Sequence, residues 1–155
     1  MDRMVGDVNF FLNDRDDLTN AEIEIMIADE PDRRKGYARE ALLLMMNYGI
    51  IQLNITRYYA KINETNVASI KLFLSLGYNE INFVPAFKEY EYELIIDSCM
   101  QEILQQQTAG HSLTHSLTHS LTHSLTHLLT QVHYILYTMI NSRLSLSAAS
   151  CRLYQ

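Results

Sequence analysis

The feature that most constrains this chain is a change of hydrophobic period across a basic turn. Residues 21–27 alternate strictly, so Ile23, Ile25 and Ile27 share one face of a strand and Glu22, Glu24 and Met26 the other. Residues 38–53 then carry apolar side chains at spacings of three and four, with Ala41, Leu42, Met45, Met46 and Ile50 on one helical stripe. Between the two runs lie Pro31, Asp32, Arg33, Arg34, Lys35, Gly36 and Tyr37. A strand, a cationic glycine turn and a helix start make a seat for an anion. The first helix amides have no intrahelical partner, the helix dipole is positive there, and glycine lets the backbone approach closely. Arg33, Arg34 and Lys35 add full charges. A solvated helix start that happens to be basic is the competing reading on these residues alone.

The flanking segments extend the pattern. Residues 4–12 read as a strand of β-branched and aromatic residues, and residues 13–20 as a polar Asp- and Asn-rich turn, so the first two strands form a hairpin. Residues 58–62 are a third strand. Strand, helix and strand in succession make a βαβ unit with a parallel pair and a right-handed crossover. Asn66 or Thr65 caps a second helix over 67–76, which Gly77 ends. Residues 78–84 and 89–96 close the sheet, with Pro85 between them. The expected fold class is α/β, a mixed sheet of about five strands with two main helices in the order β-β-α-β-α-β-β.

Charge divides the 155 residues in two. All 18 acids and ten of the 12 cations lie in residues 1–102, a net −8. Residues 103–155 hold no acid, two arginines and all six histidines, a net +2. The expected domains are therefore 1–102, folded, and 103–155, a low-complexity tail that is disordered or loosely helical. In that tail His-Ser-Leu-Thr occurs four times from His111 to Thr126, followed by the variant 127–130. A four-residue period is far below the roughly 20 residues a solenoid unit needs. The tetranucleotide CACT, repeated, encodes these same four residues in any frame, so a translated simple repeat is the expected origin of the segment. No metal is expected: Ser and Thr weaken a helix that would align the histidines, and no carboxylate supports them. The acidic first part excludes a general nucleic-acid binder. Residues 128–140 are too short and too polar to span a bilayer. Cys99 and Cys151 form neither a metal pattern nor a disulfide framework, and no apolar run follows the first residues, so a cytoplasmic location is expected.

Two motifs carry a family resemblance. Residues 33–38, Arg-Arg-Lys-Gly-Tyr-Ala, fit Gln/Arg-x-x-Gly-x-Gly/Ala between a strand and a helix. Residues 63–78 fit Asn-x-x-Ser-hydrophobic followed by Leu-Gly-Phe/Tyr, with Asn66, Ser69, Leu76, Gly77 and Tyr78 in place. Together, at this separation, they resemble the GCN5-related N-acetyltransferase (GNAT) superfamily. Residues 4–12, 17–19 and 22–24 look more closely like its N-acetyltransferase 9-like branch, described as acetylating α- and β-tubulin. The resemblance covers residues 4–96.

It implies acetyl transfer from acetyl-CoA to a protein amino group, with tubulin as the suggested acceptor. Backbone groups of Ile25, Met26 and Ile27 would pair with the pantetheine arm. Amides of Arg34, Lys35, Gly36, Tyr37 and Ala38 would hold the pyrophosphate, with Arg33 and Arg34 as charged partners, and Asn66 would reach the cofactor from the second helix. Residues 1–102 contain no histidine, so the base must be a carboxylate, a tyrosine or a water; Glu22 and Glu24, on one face of the strand beside the expected thioester, could relay the amine proton, against the competing reading that both face solvent on an alternating strand. The family's helix tyrosine, which protonates the leaving thiolate, is matched by a position near Phe73. Family members also begin with a strand, two helices and a further strand that have no counterpart here. The strand 4–12 is therefore expected to form an exposed edge. The alternative implication is a non-catalytic chain that binds CoA weakly or pairs with a partner through that edge.

Overall fold

The computed structural model describes residues 5–109 and the backbone of 131–135. The elements run β1 (Gly6–Phe11), β2 (Asn20–Ile27), α1 (Tyr37–Leu53), β3 (Arg57–Asn63), α2 (Val67–Ser75), β4 (Asn79–Val84), β5 (Glu89–Ile95), α3 (Ser98–Thr108) and β6 (Gln131–Ile135). The strands form one mixed sheet in the order β4-β5-β3-β2-β1-β6. β2 and β3 are parallel, and the other described pairs are antiparallel.

Strand alternation sorts the sheet into two chemically distinct faces. Val8, Phe10, Ala21, Ile23, Tyr58, Ala60, Ile62, Tyr92 and Leu94 are buried in one cluster with residues of all three helices. The opposite face carries Asp7, Asn9, Glu22, Glu24, Arg57, Tyr59, Lys61, Glu91 and Glu93 by register. Arg57 Nε donates to Glu93 Oε2 at 2.8 Å across β3 and β5, and the Arg57 and Lys61 cations flank the Tyr59 ring at 5.5 and 5.7 Å.

α1 is covered on more than its sheet-facing stripe. Ala41, Leu42, Met45, Met46 and Ile50 are buried as the spacing predicts, and Leu44 is buried as well. Gly49 is a close-approach position rather than a mere interruption. A Cβ there would lie 2.3 Å from Tyr58 Oη and 3.0 Å from the Phe10 ring. Tyr58 is fully buried, and its hydroxyl donates to the Met46 carbonyl at 2.8 Å. α2 stops as expected at Gly77, whose φ of +93° lets Tyr78 N bond to Phe73 O and Gly77 N to Leu74 O.

Two expectations change. A third helix, α3, joins the expected two. Asp97 caps it by accepting from Met100 N at 2.7 Å, and Leu104 and Thr108 are buried. Glu102, at the expected boundary, lies inside α3, and the division into two units stands as a proposal. The charge imbalance hid the helix, because a Gln-rich segment needs only one apolar stripe to pack. Finally, β1 is not a free edge. β6 pairs with it antiparallel, from Asp7↔Ile135 to Phe11↔Gln131, giving six strands where about five were expected. An open edge offers a row of free backbone donors and acceptors to any β-capable segment. The His-Ser-Leu-Thr repeat lies outside the described residues, and its reading as a separate unstructured segment stands as a proposal.

Candidate active site

β2 and β3 separate partway along their length, and the site lies in the gap. They are in register only through Asn20↔Arg57, Ala21↔Tyr58 and Glu22↔Tyr59. Beyond that point β2 continues to Ile27 paired with β1, while β3 continues to Asn63 paired with β5. The β3-facing backbone of residues 23–27 thus has no strand neighbour. A cleft of about 850 Å³ opens there, lined by Ile25, Met26 and Ile27, by the turn into α1, by Asn66 at the cap of α2, and by Ala68, Ser69 and Leu72 of α2.

The turn is built by local residue chemistry. Pro31 sits in a single 3-10 turn, Glu30–Asp32, closed by Asp32 N to Asp29 O and Arg33 N to Glu30 O at 3.1 and 3.0 Å. Arg34 and Gly36 then adopt left-handed backbone, with φ of +60° and +88°. An arginine in that region is strained by a kcal/mol or so, the kind of local distortion that concentrates at ligand sites. A Cβ on Gly36 would meet nothing within 4 Å, so glycine is needed for its conformation and leaves the space beside it open. α1 has no side-chain N-cap, and its first intrahelical bond is Glu40 N to Gly36 O. The amides of Tyr37, Ala38 and Arg39 precede that bond and face the positive end of the dipole.

Most of the expected cofactor residues converge. Arg33, Arg34, Gly36, Tyr37 and Ala38 line the cleft with Ile25–Ile27 and Asn66. Arg33 reaches back to the end of β2, donating from Nε to Ile27 O at 3.4 Å and from Nη2 to Ala28 O at 3.5 Å. Asn66 uses its carboxamide oxygen to cap α2, accepting from Ser69 N at 3.2 Å. Lys35 departs from the group. It pairs with the buried Asp32 at 3.0 Å and lines a neighbouring hollow of about 290 Å³ with Arg39, Gln107 and Thr108. Arg39, Ser69 and Leu72 were not anticipated as lining residues. Arg39 was legible in principle, being a further cation in the first turn of α1. Its Nη1 is buried and without a partner.

The two glutamates sit outside the cleft lining and differ from each other. Glu22 occupies the last paired row before the strands separate. It is buried, and its Oε2 accepts from Lys61 Nζ at 3.0 Å and Asn13 Nδ2 at 2.8 Å. Asn13 also donates to the Tyr59 hydroxyl at 3.1 Å. Glu24, two residues on and exposed, has no such clamp. Desolvation, then the charges of Glu22 and Asp7, push its carboxyl above the ordinary glutamate range, while Lys61 pulls the other way. Solvent screens much of this push at an exposed group. Phe73 lies in the core edge-on to Tyr78, with ring centroids 4.9 Å apart, and offers no proton. Tyr78 is itself buried, its hydroxyl against Met46 Sδ.

Residues 1–79 match the acetyltransferase (GNAT) domain. The N-acetyltransferase 9-like protein of Nematostella vectensis is 51% identical over 89 residues, covering 57% of this chain and 45% of that protein. The alpha/beta-tubulin-N-acetyltransferase 9 of Homo sapiens is 41% identical over 106 residues, covering 68% of this chain and 51% of its own. A solved acetyltransferase (GNAT family) from Bacillus anthracis superposes with a TM-score of 0.51 at 23% identity, over 59% of this chain and 58% of that one, a likeness of fold. The chain spans about half the length of the curated relatives it matches.

Proposed function

The chain belongs to the GNAT acetyltransferase family, and on that premise we propose that it binds acetyl-CoA between β2 and β3 and transfers the acetyl group to an amine of a protein. The observation that carries this reading is the strand pair that parts after Glu22↔Tyr59 and ends over a left-handed glycine turn. A thioester with a pantetheine arm fits the gap, because the arm's amides can complete the free edge of residues 23–27 as a missing strand would. The pyrophosphate fits the first amides of α1, with Arg33 and Arg34 as counter-charges. Lys35, held by Asp32, supports the turn from its far side.

The chemistry then assigns different roles to the two carboxylates. The attacking amine must lose a proton as its nitrogen bonds to the acetyl carbon, and the C–S bond breaks to release a thiolate that takes a proton from water. Glu24, unclamped and raised, is the proton acceptor; Glu22, fixed by Lys61 and Asn13, holds the negative charge that keeps Glu24 basic. The name of the human relative makes a tubulin amino terminus the acceptor to test first.

The test is an acetyl-CoA titration of the full chain by thermal shift, with amine-dependent thiol release measured alongside. Ligand at a hundredfold excess over Kd stabilises by about 2.7 kcal/mol, and Gly36→Glu, with its fold checked by circular dichroism, abolishes the shift. Thiol release lost in Glu24→Gln and retained in part in Glu22→Gln supports the assigned roles. Stabilisation without thiol release reduces the function to cofactor binding. No stabilisation at all removes the reading.

A further inference from the structure

One ion pair bridges β2 and β3 at the point where they part. Lys61 lies two residues beyond Tyr59, on the β3 side of the gap, and shares the polar face of the sheet with Glu22 and Glu24. Its Nζ reaches back across to Glu22 Oε2 at 3.0 Å, at the closed end of the gap. The Lys61 side chain is 41% exposed and that of Glu22 10%, so the pair is anchored on a buried carboxylate while the ammonium stays open to a ligand. An ammonium has three N–H donors. One goes to Glu22, and among the described residues no other group accepts from the remaining two. Glu91, opposite Lys61 in the β3–β5 register, takes its hydrogen bond from Asn82 at 2.9 Å. The charge is fixed as well as the position. The hydrogen bond to Glu22, outweighing desolvation, holds the ammonium above the ordinary lysine range. Lys61 therefore keeps its proton at neutral pH and acts as a hydrogen-bond donor, not as an acid.

This inference rests on the acyl-transfer reading. With the anion at the turn and the arm along residues 25–27, the acyl end lies toward the closed end of the gap, where the polar face presents the Lys61 ammonium. As the amine nitrogen bonds to the acetyl carbon, an electron pair of the carbonyl moves onto its oxygen; it returns as the C–S bond breaks and the thiolate leaves. A fixed cation facing that oxygen stabilises the charge where it develops, at no cost in reorganisation. We infer that Lys61 donates a hydrogen bond to the thioester carbonyl oxygen and is the charged donor of the acyl site, with Glu22 anchoring it from behind. No proton leaves Lys61 in this step. Glu24, which feels the Lys61 charge from two residues along β2, receives the amine proton on the same face. The ion pair at the head of the gap thereby serves both halves of the reaction.

The contact is read first without turnover. Acetyl-CoA labelled with ¹³C at its carbonyl is bound to the full chain, and the wild type is expected to move that resonance downfield of its position in free acetyl-CoA. Lys61→Met, its fold checked by circular dichroism, returns the resonance most of the way to the free position, and Lys61→Arg returns it less. Thiol release at saturating acetyl-CoA then falls about a hundredfold in Lys61→Met, the order of loss for one donor to a developing oxyanion, while affinity for acetyl-CoA changes by less than about tenfold. A Lys61 that acts only by holding Glu22 predicts that Lys61→Met combined with Glu22→Gln releases thiol as fast as Glu22→Gln alone; a further large loss is expected instead. An identical carbonyl resonance in wild type and folded Lys61→Met, or a double variant equal to Glu22→Gln, overturns the role of Lys61 and leaves acetyl transfer standing. A Lys61-dependent resonance in a chain that releases no thiol keeps the contact and removes the transfer. Acetyl-CoA that does not bind removes both.

Discussion

Gly49→Ala isolates the contact that sets the distance between α1 and the sheet. In an exposed helix the same change would stabilise by about 1 kcal/mol, since glycine is a poor helix former. Here the new methyl would lie 2.3 Å from Tyr58 Oη and 3.0 Å from two atoms of the Phe10 ring. Both rings are fully buried, with centroids 5.5 Å apart, so neither can swing into solvent. Relief requires Tyr58 to leave the Met46 carbonyl, forfeiting about 1 kcal/mol of hydrogen bonding, or α1 to lift away. Overpacking of this kind costs about 1–3 kcal/mol. The propensity gain offsets part of the sum, leaving a net loss of about 2 kcal/mol. At about 4–8 °C per kcal/mol for a domain of this size, the melting temperature falls by roughly 10 °C. Circular dichroism melts of the wild type, Gly49→Ala, Tyr58→Phe and the double variant form a cycle. Removing the hydroxyl makes room for the methyl, so Gly49→Ala is milder by about 1 kcal/mol in the Tyr58→Phe background. A rise in melting temperature for Gly49→Ala, or effects that add within about 0.3–0.5 kcal/mol, would refute the close-approach account.

Other perturbations separate the remaining elements. Asp97→Ala removes the cap that accepts from Met100 N and lowers stability by about 1 kcal/mol in urea melts, and Leu104→Ala, at a buried site, lowers it by about 2–5 kcal/mol; two near-neutral results would detach α3 from the domain. For Glu24, whose carboxyl is raised in the folded state, the stabilising contribution is complete below the unfolded value and lost as pH rises through the folded one. Glu24→Gln therefore gains stability relative to wild type on going from about pH 4 to pH 7, and melts showing the reverse trend would contradict the assigned shift. Arg33→Ala and Arg34→Ala each weaken acetyl-CoA binding by up to about tenfold and reduce its salt dependence. Lys35→Ala, whose ammonium is turned to Asp32 in the neighbouring hollow, has a smaller effect by isothermal titration; equal losses at all three positions would merge the two cavities.

Local periodicity placed the elements well, because each helix or strand here declares itself within its own residues. The stripe Ala41, Leu42, Met45, Met46 and Ile50, the alternation of residues 21–27 and the Gly77 stop all act over one or two turns. α3 escaped because Gln105, Gln106 and Gln107 dilute its apolar signal, and because its burial depends on α1, some sixty residues earlier. The turn proposed to hold the cofactor was legible for the same local reason. A strand end, a glycine turn and a helix start are contiguous, so Arg33 to Ala38 could be named from the chain alone.

What the chain order could not show is how neighbouring strands share out their side chains. From the sequence, Glu22 and Glu24 are equivalent carboxylates on one strand face. The tertiary structure distinguishes them, because Lys61 on β3 and Asn13 in the β1–β2 turn reach Glu22 and leave Glu24 open. Lys35 and Arg34 are likewise adjacent cations in sequence, yet a left-handed residue at Arg34 sends them into different hollows. By itself, then, the sequence determined the order of elements from β1 to β5 and the glycine turn between β2 and α1, which depend on near neighbours. Which charges are neutralised and which remain available to substrate was decided only by strand register and packing, since those pairings join residues far apart in the chain.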